Sequence, residues 1–426
     1  MSNKYSSAMN EGSNQKKAMV PRLRFPEFRR AEAWELKPLG QIAHILNEKA
    51  GNKKLTLLSI TSGVGLVSQI EKFGREIAGS QYKNYYVIRR DDFAYNKSST
   101  KDYPEGFIAR YQSGEDGAVP NSIFTCFRVR AGASHPPYLS YLFENNLHGK
   151  WLRRFITIGA RAHGSLNVDD TDLLATPVPV PPKEKLLDEQ KKIADCLFSL
   201  DELIKAETQK LDSLRIHKKG LMQQLFPREG EAVPRLRFPE FRDAEKWGVK
   251  TLSAIAENLD NRRIPVTESN RIKGAIPYYG ASGVVDYIHD FIFDEDLLCV
   301  SEDGANLVAR TTPIAFSISG KTWVNNHAHV LKFERRCVQK IVEDYLNLIS
   351  LEDYLTGMAQ PKLNRSMLDT IPVPIPVDES EQQAVADCLS SVDDLIAAQR
   401  QKIDGLKTHK KGLMRQLFPV LNEVQE

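Results

Sequence analysis

Apolar residues recur at three- and four-residue spacings along two stretches of this chain. The first stripe runs Ile193, Leu197, Leu200, Ile204, Leu211, Leu214, Leu221, Leu225; the second runs Val385, Leu389, Val392, Ile396, Ile403, Leu406, Leu413, Leu417. These are the a and d positions of about five heptads, and they predict two long helices. The stripes match position for position, exceptions included: Glu207 answers Gln399, and Lys218 answers Lys410. Matched stripes predict an intramolecular coiled coil whose polar a and d sites fix register. Two separate amphipathic helices, each lying on its own domain, are the other reading.

Proline alternates with apolar residues before each helix, at 176–182 (TPVPVPP) and 371–376 (IPVPIP). Such segments are extended and cannot be helical, so they read as rigid connectors. Between these landmarks, residues 31–175 and 244–370 mix short β-rich runs with Gly, Asn and Asp turns. YYVIRRDDFAY, IFTCFRVR, LLCVSEDG and WVNNHAHVLKF are examples. Each insert then carries an apolar helical pattern, at 137–155 and 342–355. The pattern predicts an α+β head with a mixed or antiparallel sheet in each half.

Two segments are written twice. Residues 20–34 recur at 233–247 with 13 of 15 positions identical, and residues 217–227 recur at 409–419 with 10 of 11 identical. A period near 200 residues excludes a solenoid and predicts a tandem pair of domains, a repeated frame around two divergent inserts. The expected boundaries are a disordered leader (1–19), a first head (20–182), a first helix (183–227), a second head (228–377), a second helix (378–419) and a tail (420–426).

Composition changes little in this picture. Apolar content of 41% and charged content of 27% are ordinary for a globular protein. No run of 18 apolar residues predicts a membrane span. Cys126, Cys196, Cys299, Cys337 and Cys388 show no framework spacing, which predicts reduced thiols and a cytoplasmic protein. Cys196 and Cys388 occupy matching frame positions, as packing residues would. Net charge is only +3, but residues 1–30 hold seven basic residues against Glu11 and Glu27. Such an arm suits phosphate, or a solvated or partner-facing segment.

Base edges are read by Asn, Gln, Arg, Lys and Ser, and phosphates by Lys and Arg. The first head offers Tyr95, Asn96, Lys97, Ser98, Ser99, Lys101, Asn121 and Ser122. The second offers Tyr278, Tyr279, Ser282, Lys321, Trp323, Asn325, Asn326, His327 and His329. The same residue types also cap turns. Catalytic motifs are weak. Ala315 to Thr322 fits a relaxed phosphate-loop pattern but reads as two strands around a turn. His135-Pro136-Pro137-Tyr138 is similar to the amino-methyltransferase motif, yet prolines at a helix start account for it. The Gly-rich match at 62–65 is short and isolated. His327 and His329 alternate along a strand without a partner cluster of metal-ligand type.

Taken together, the duplicated EQKKIADCLFSLDELI (189–204) and EQQAVADCLSSVDDLI (381–396) helices, IPYYGASGVVDYI (276–288) and SGKTWVNNHAHVL (319–331) carry a family resemblance. So do the segments GARAHGSLNVDDTDLLATPVPVP (159–181) and GMAQPKLNRSMLDTIPVPIP (357–376). The chain resembles the specificity subunit of a type I restriction-modification system from about residue 20 onward. The resemblance implies two tandem target-recognition domains joined by two long helices packed as an antiparallel coiled coil, with pseudo-two-fold symmetry. It implies a noncatalytic reader of double-stranded DNA, each head taking one half of a bipartite asymmetric site. Two methylation subunits binding S-adenosylmethionine, and two restriction subunits using ATP and Mg, are the implied partners. This chain itself would bind no cofactor and no metal. A self-contained DNA methyltransferase or nuclease, and a two-headed protein adaptor, are the competing classes.

Overall fold

The computed structural model describes residues 19–61, 63–77, 80–158, 164, 166–357 and 360–419. The predicted leader (all but Met19), the tail, Ser62 of the Gly-rich match, and parts of the 159–181 and 357–376 signatures lie outside these residues. Residues 19–205 with 404–419 form one compact unit, and residues 206–403 form the other.

The apolar stripes form helices Leu186–Leu225 and Glu379–Leu417. Each stops two residues short of a proline, Pro227 or Pro419, as the steric demand of proline on its predecessor requires. In the second unit Leu211, Leu214 and Leu221 pack with Val392, Ile396 and Ile403. Glu207 meets Gln399 while Lys218 meets Asp393, so these segments run antiparallel. In the first unit Ile193 and Leu197 share a core with Leu413, Met414 and Leu417, and Lys410 meets Asp201. The polar exceptions are all engaged. Gln399 Nε2 and Lys402 Nζ each donate to the Glu207 carboxylate at 2.6 Å. Lys218 bridges Asp344 and Asp393 at 2.7 Å, and Lys410 bridges Glu144 and Asp201 at 2.7 Å.

The repeated motifs are partners of each other within each unit. Leu23 N donates to Gln416 O at 3.0 Å, and Leu236 N to Gln224 O at 3.0 Å. Trp34 N donates to Met19 O, and Trp247 N to Ala232 O. Arg24 gives Nε and Nη2 to Glu189 at 2.7 and 2.8 Å and Nη1 to Ala31 O and Glu32 O. Arg237 repeats the clamp on Glu381, Ala244 O and Glu245 O. Both ion pairs are buried, and removing one member of such a pair costs about 3–5 kcal/mol. The basic-arm reading is corrected at Arg24: its guanidinium is spent inside the fold, because a carboxylate from the helix start and two carbonyls take four of its five N–H donors.

The heads differ in sequence but share one strand topology. In chain order, the first head has strands Ala43–Ile45, Thr56–Thr61, Gly65–Ser68, Tyr86–Ile88, Phe93–Asn96, Phe107–Arg110, Gly117–Val119 and Phe124–Val129. The second has Glu257–Asn258, Lys273–Gly280, Gly283–Ile288, Phe293–Asp294, Leu297–Ser301, Ala315–Ile318, Lys321–Val324 and Ala328–Lys332. Numbered one to eight among the described residues, both heads form an antiparallel sheet of order one-eight-five-six and a mixed sheet of order three-two-seven-four. Strands two and seven are the parallel pair in both. Buried apolar faces account for this without shared sequence. Strand five is Phe-Ala-Tyr-Asn in one head and Leu-Leu-Cys-Val-Ser in the other; all of these residues are buried except Asn96, which is half-buried.

The proline segments are strands and not free connectors. Pro177–Val180 pairs antiparallel with Glu35–Pro38, and Pro372–Ile375 with Gly248–Thr251. Val178, Val180, Val373 and Ile375 turn inward. Proline is tolerated because each ladder has only two strands, leaving one edge free of donors.

Candidate nucleic-acid interface

Backbone hydrogen bonds gather the loops at one end of each head. In the second head Glu302 N donates to His327 O (2.9 Å), Leu363 N to Glu302 O (2.8 Å) and Gly304 N to Pro361 O (3.1 Å). In the first head Lys97 N donates to Ile123 O (3.1 Å), Leu166 N to Lys97 O (2.8 Å) and Ser99 N to Gly164 O (2.5 Å). The three bonds correspond one to one. They register Lys97 with Glu302, Ser98 with Asp303, and Ile123 with His327. Two heads with unlike loop residues therefore present them on the same backbone platform.

The cluster brings together Asn96, Lys97, Ser98, Ser99, Asn121 and Ser122 in the first head. In the second it brings together Ser282, Asn325, Asn326 and His327. Asn121, Ser122, Ser282, Asn326 and His327 are exposed. Lys97 is half-buried and donates to Val168 O at 2.8 Å, so it ties the loop down. Asn96 Oδ1 accepts from Ser98 N, and Asn325 Oδ1 from His327 N, both as turn caps. Lys101 is exposed on the same loop, beyond the cluster bonds.

Other candidates stand apart from it. Tyr95 and Tyr278 are core residues, 0% and 1% exposed. Tyr95 donates to Glu105 O at 2.8 Å, and Tyr278 accepts from Val266 N at 3.0 Å. Neither presents a surface, because an aromatic body on an inward strand position is worth more buried. Tyr279 is half-buried beside Phe316, and Trp323 donates Nε1 to Ile264 O at 2.7 Å. Lys321 is exposed at the far end of its strand, its ammonium 4.7 Å from the Phe291 ring centre.

Both histidines have carboxylate partners, and at His329 these form a cluster that the sequence reading did not expect. His327 Nδ1 lies 2.8 Å from Asp303 Oδ2, at the surface. His329 is buried, with Nδ1 2.6 Å from Asp260 Oδ2 and Nε2 2.8 Å from Leu363 O. Asp260, Glu302 and His329 lie close enough to hold a cation. The Arg263 guanidinium already answers them, at 2.6 Å from Glu302 and 3.4 Å from Asp260. Burial pushes the Asp260 carboxyl up, but His329, Val330 N and Arg263 outweigh it and hold it below the usual range. The group reads as an ion-pair network joining strand eight to the loops.

Sequence reasoning passed over Asp303 and Ile123, which the cluster bonds expose as members. It also passed over Val64, Val284, Val285 and Tyr287, exposed apolar residues on the hairpin of strands two and three in each head. The available signal was apolar residues beside turn glycines.

The profile of the family described as type I restriction modification DNA specificity domain matches residues 31–215 and 244–408. A Haemophilus influenzae protein bearing the name of a type I restriction enzyme specificity subunit is 33% identical over 127 residues, 30% of this chain and 32% of that one. A Methanocaldococcus jannaschii protein named as the MjaX specificity subunit is 26% identical over 325 residues, 74% of each chain. The crystal structure of a type I system S subunit from M. genitalium superposes with a TM-score of 0.55 at 12% identity, covering 95% of this chain and 100% of that one, a likeness of fold. With both halves matched, the chain belongs to the type I restriction modification DNA specificity family, the specificity subunits of type I restriction-modification systems.

Proposed function

We propose that each head reads one half of a bipartite, asymmetric double-stranded DNA site, and that the chain positions methylation and restriction subunits on it. The observation carrying this reading is the shared loop platform: one backbone, two sets of side chains. A pair of readers for two unlike half-sites needs that combination. Asn121, Ser122, Lys101, Ser282, Lys321, Asn326 and His327 are the exposed candidates for contact. S-adenosylmethionine, ATP and Mg belong to the partner subunits in this reading, and the chain does no chemistry itself. One chain takes two methylation subunits, since the frame occurs twice, and the complex works in the cytoplasm. Among the described residues no helix is long and apolar enough to cross a membrane.

Methylated adenines mapped in cells with and without the chain test this. Exchanging residues 31–175 for another head should change one half of the methylated sequence and leave the other intact. Changes in both halves, or none, would overturn the modular reading.

A further inference from the structure

His327 and Ile123 occupy the same point on the two platforms, fixed by the matched bonds to Glu302 N and Lys97 N. Their chemistry is opposite. The His327 side chain is 52% exposed, and its Nδ1 faces Asp303 Oδ2 at 2.8 Å. Its backbone is pinned by Asn325 Oδ1 at 2.8 Å. The backbone of Asp303 is itself held by an isolated antiparallel β-bridge to that of Lys362. Ile123 is 43% exposed, and Ser98 stands where Asp303 would be.

A carboxylate only accepts, so it fixes the ring proton on Nδ1. In its neutral form the ring has Nε2 left as an acceptor, on a side chain that is half exposed. In the major groove, hydrogen-bond donors are the adenine N6 and cytosine N4 amino groups; guanine and thymine offer acceptors there. The Asp303 charge also opposes a phosphate at this point, which favours a base edge over the backbone. We propose that His327, oriented by Asp303, is a base-reading residue of the second head that takes the exocyclic amino group of an adenine or cytosine. Ile123 fills the same position in the first head with an aliphatic surface suited to the thymine methyl. The inference rests on the DNA-reading function above.

The test begins with the half-site defined by methylome sequencing. The full-length chain is then titrated with duplexes in which each adenine or cytosine of that half is replaced by an analogue lacking the amino group. At one position the analogue should weaken wild-type binding roughly tenfold, the loss of one hydrogen bond. His327→Ala should lose the same factor on the natural duplex and nothing further on the analogue. Asp303→Ala, leaving the ring free to turn, should lower discrimination at that position alone. His327→Ile should shift the methylated sequence there toward thymine. A His327→Ala chain that keeps full discrimination overturns the proposal, as does a loss uniform across all duplexes, which marks a phosphate contact. A wild-type chain with no effect on the methylome overturns the DNA-reading function as well, so the two failures are distinct.

Discussion

Gly106 shows how narrowly single residues are constrained near the platform. It sits at φ +83°, and a Cβ there would lie 2.5 Å from Asn96 O and 2.7 Å from the Tyr95 ring. Only glycine passes so close to the buried tyrosine. Its carbonyl faces His148 Nε2 at 3.2 Å, and the His148 ring packs edge-on against Tyr95. Burial lowers the His148 pKa to about 4, against the smaller opposing pulls of the Gly106 carbonyl and Glu105. The unfolded chain, with a histidine pKa of about 6.5, therefore binds the proton more readily than the fold. Stability from this group is complete above about pH 6.5 and falls as pH drops toward about 4, by about 3 kcal/mol in all. Urea titrations at pH 7 and pH 4.5 should show the first unit weakening in acid. His148→Gln, which keeps a donor toward Gly106 and does not titrate, should flatten that slope. An unchanged slope would mean that other groups carry it.

At the scale of elements, each helix pair holds a lysine in its apolar stripe, and the two are not equally exposed to loss. Removing Lys410 leaves Glu144 and Asp201, both more than a third exposed, for water to solvate. Removing Lys218 leaves Asp344, 1% exposed, with Lys340 at 2.8 Å as its remaining cation. Burial pushes Lys340 down, but Asp344, Glu343 and Asp393 outweigh it and keep it charged. Lys218→Met and Lys340→Met should each cost about 1–2 kcal/mol. The double variant should cost about 1–3 kcal/mol beyond the sum of the two single losses, because a buried carboxylate is then unpaired. Strictly additive losses in denaturant titrations would refute that coupling. These elements also show what the sequence made legible. Lys218, Lys410, Glu207 and Gln399 stood out because they break a regular apolar stripe, and the helices follow from that stripe. The common topology of the heads did not stand out. A strand position needs only an inward apolar side chain, so Phe93 and Leu298 serve alike and leave no identity to see. Arg24, Tyr95 and Tyr278 were read as surface residues because type alone does not tell a buried clamp from a reader. Asp303 passed as one more turn residue, since its histidine partner lies 24 positions away and only the loop bonds bring them together.

The whole molecule closes its frame in two covalently different ways. In the second unit, residues 217–227 continue through a short turn, with Glu231 N donating to Arg228 O, into residues 232–247. In the first unit the same two segments make the same bonds, but they are residues 409–419 and 19–34 and no peptide joins them locally. The bond from Leu23 N to Gln416 O equals that from Leu236 N to Gln224 O in length, and the Arg24 and Arg237 clamps take the same partners, differing only in that Nη2 and not Nη1 reaches the second carbonyl in Arg237. The frame geometry is thus set by non-covalent contacts, and the turn at 228–231 contributes little beyond chain continuity. A permuted chain follows: Pro419 joined to Met19 through a copy of residues 228–231, with new termini opened between Glu229 and Gly230. Closing a short loop whose ends already meet costs little, and the opened turn is exposed. The permutant should fold with stability within about 1 kcal/mol of the parent, since the frame bonds and clamps of both units are kept and only the bond across the opened turn is given up. It should also methylate the parental sequence in full, both halves and their spacing, because no head residue has changed. Circular dichroism melting and methylome sequencing of the permutant decide this. A chain that unfolds, or that reads only the first half-site, would show that the turn at 228–231 is needed to hold the second head on its frame.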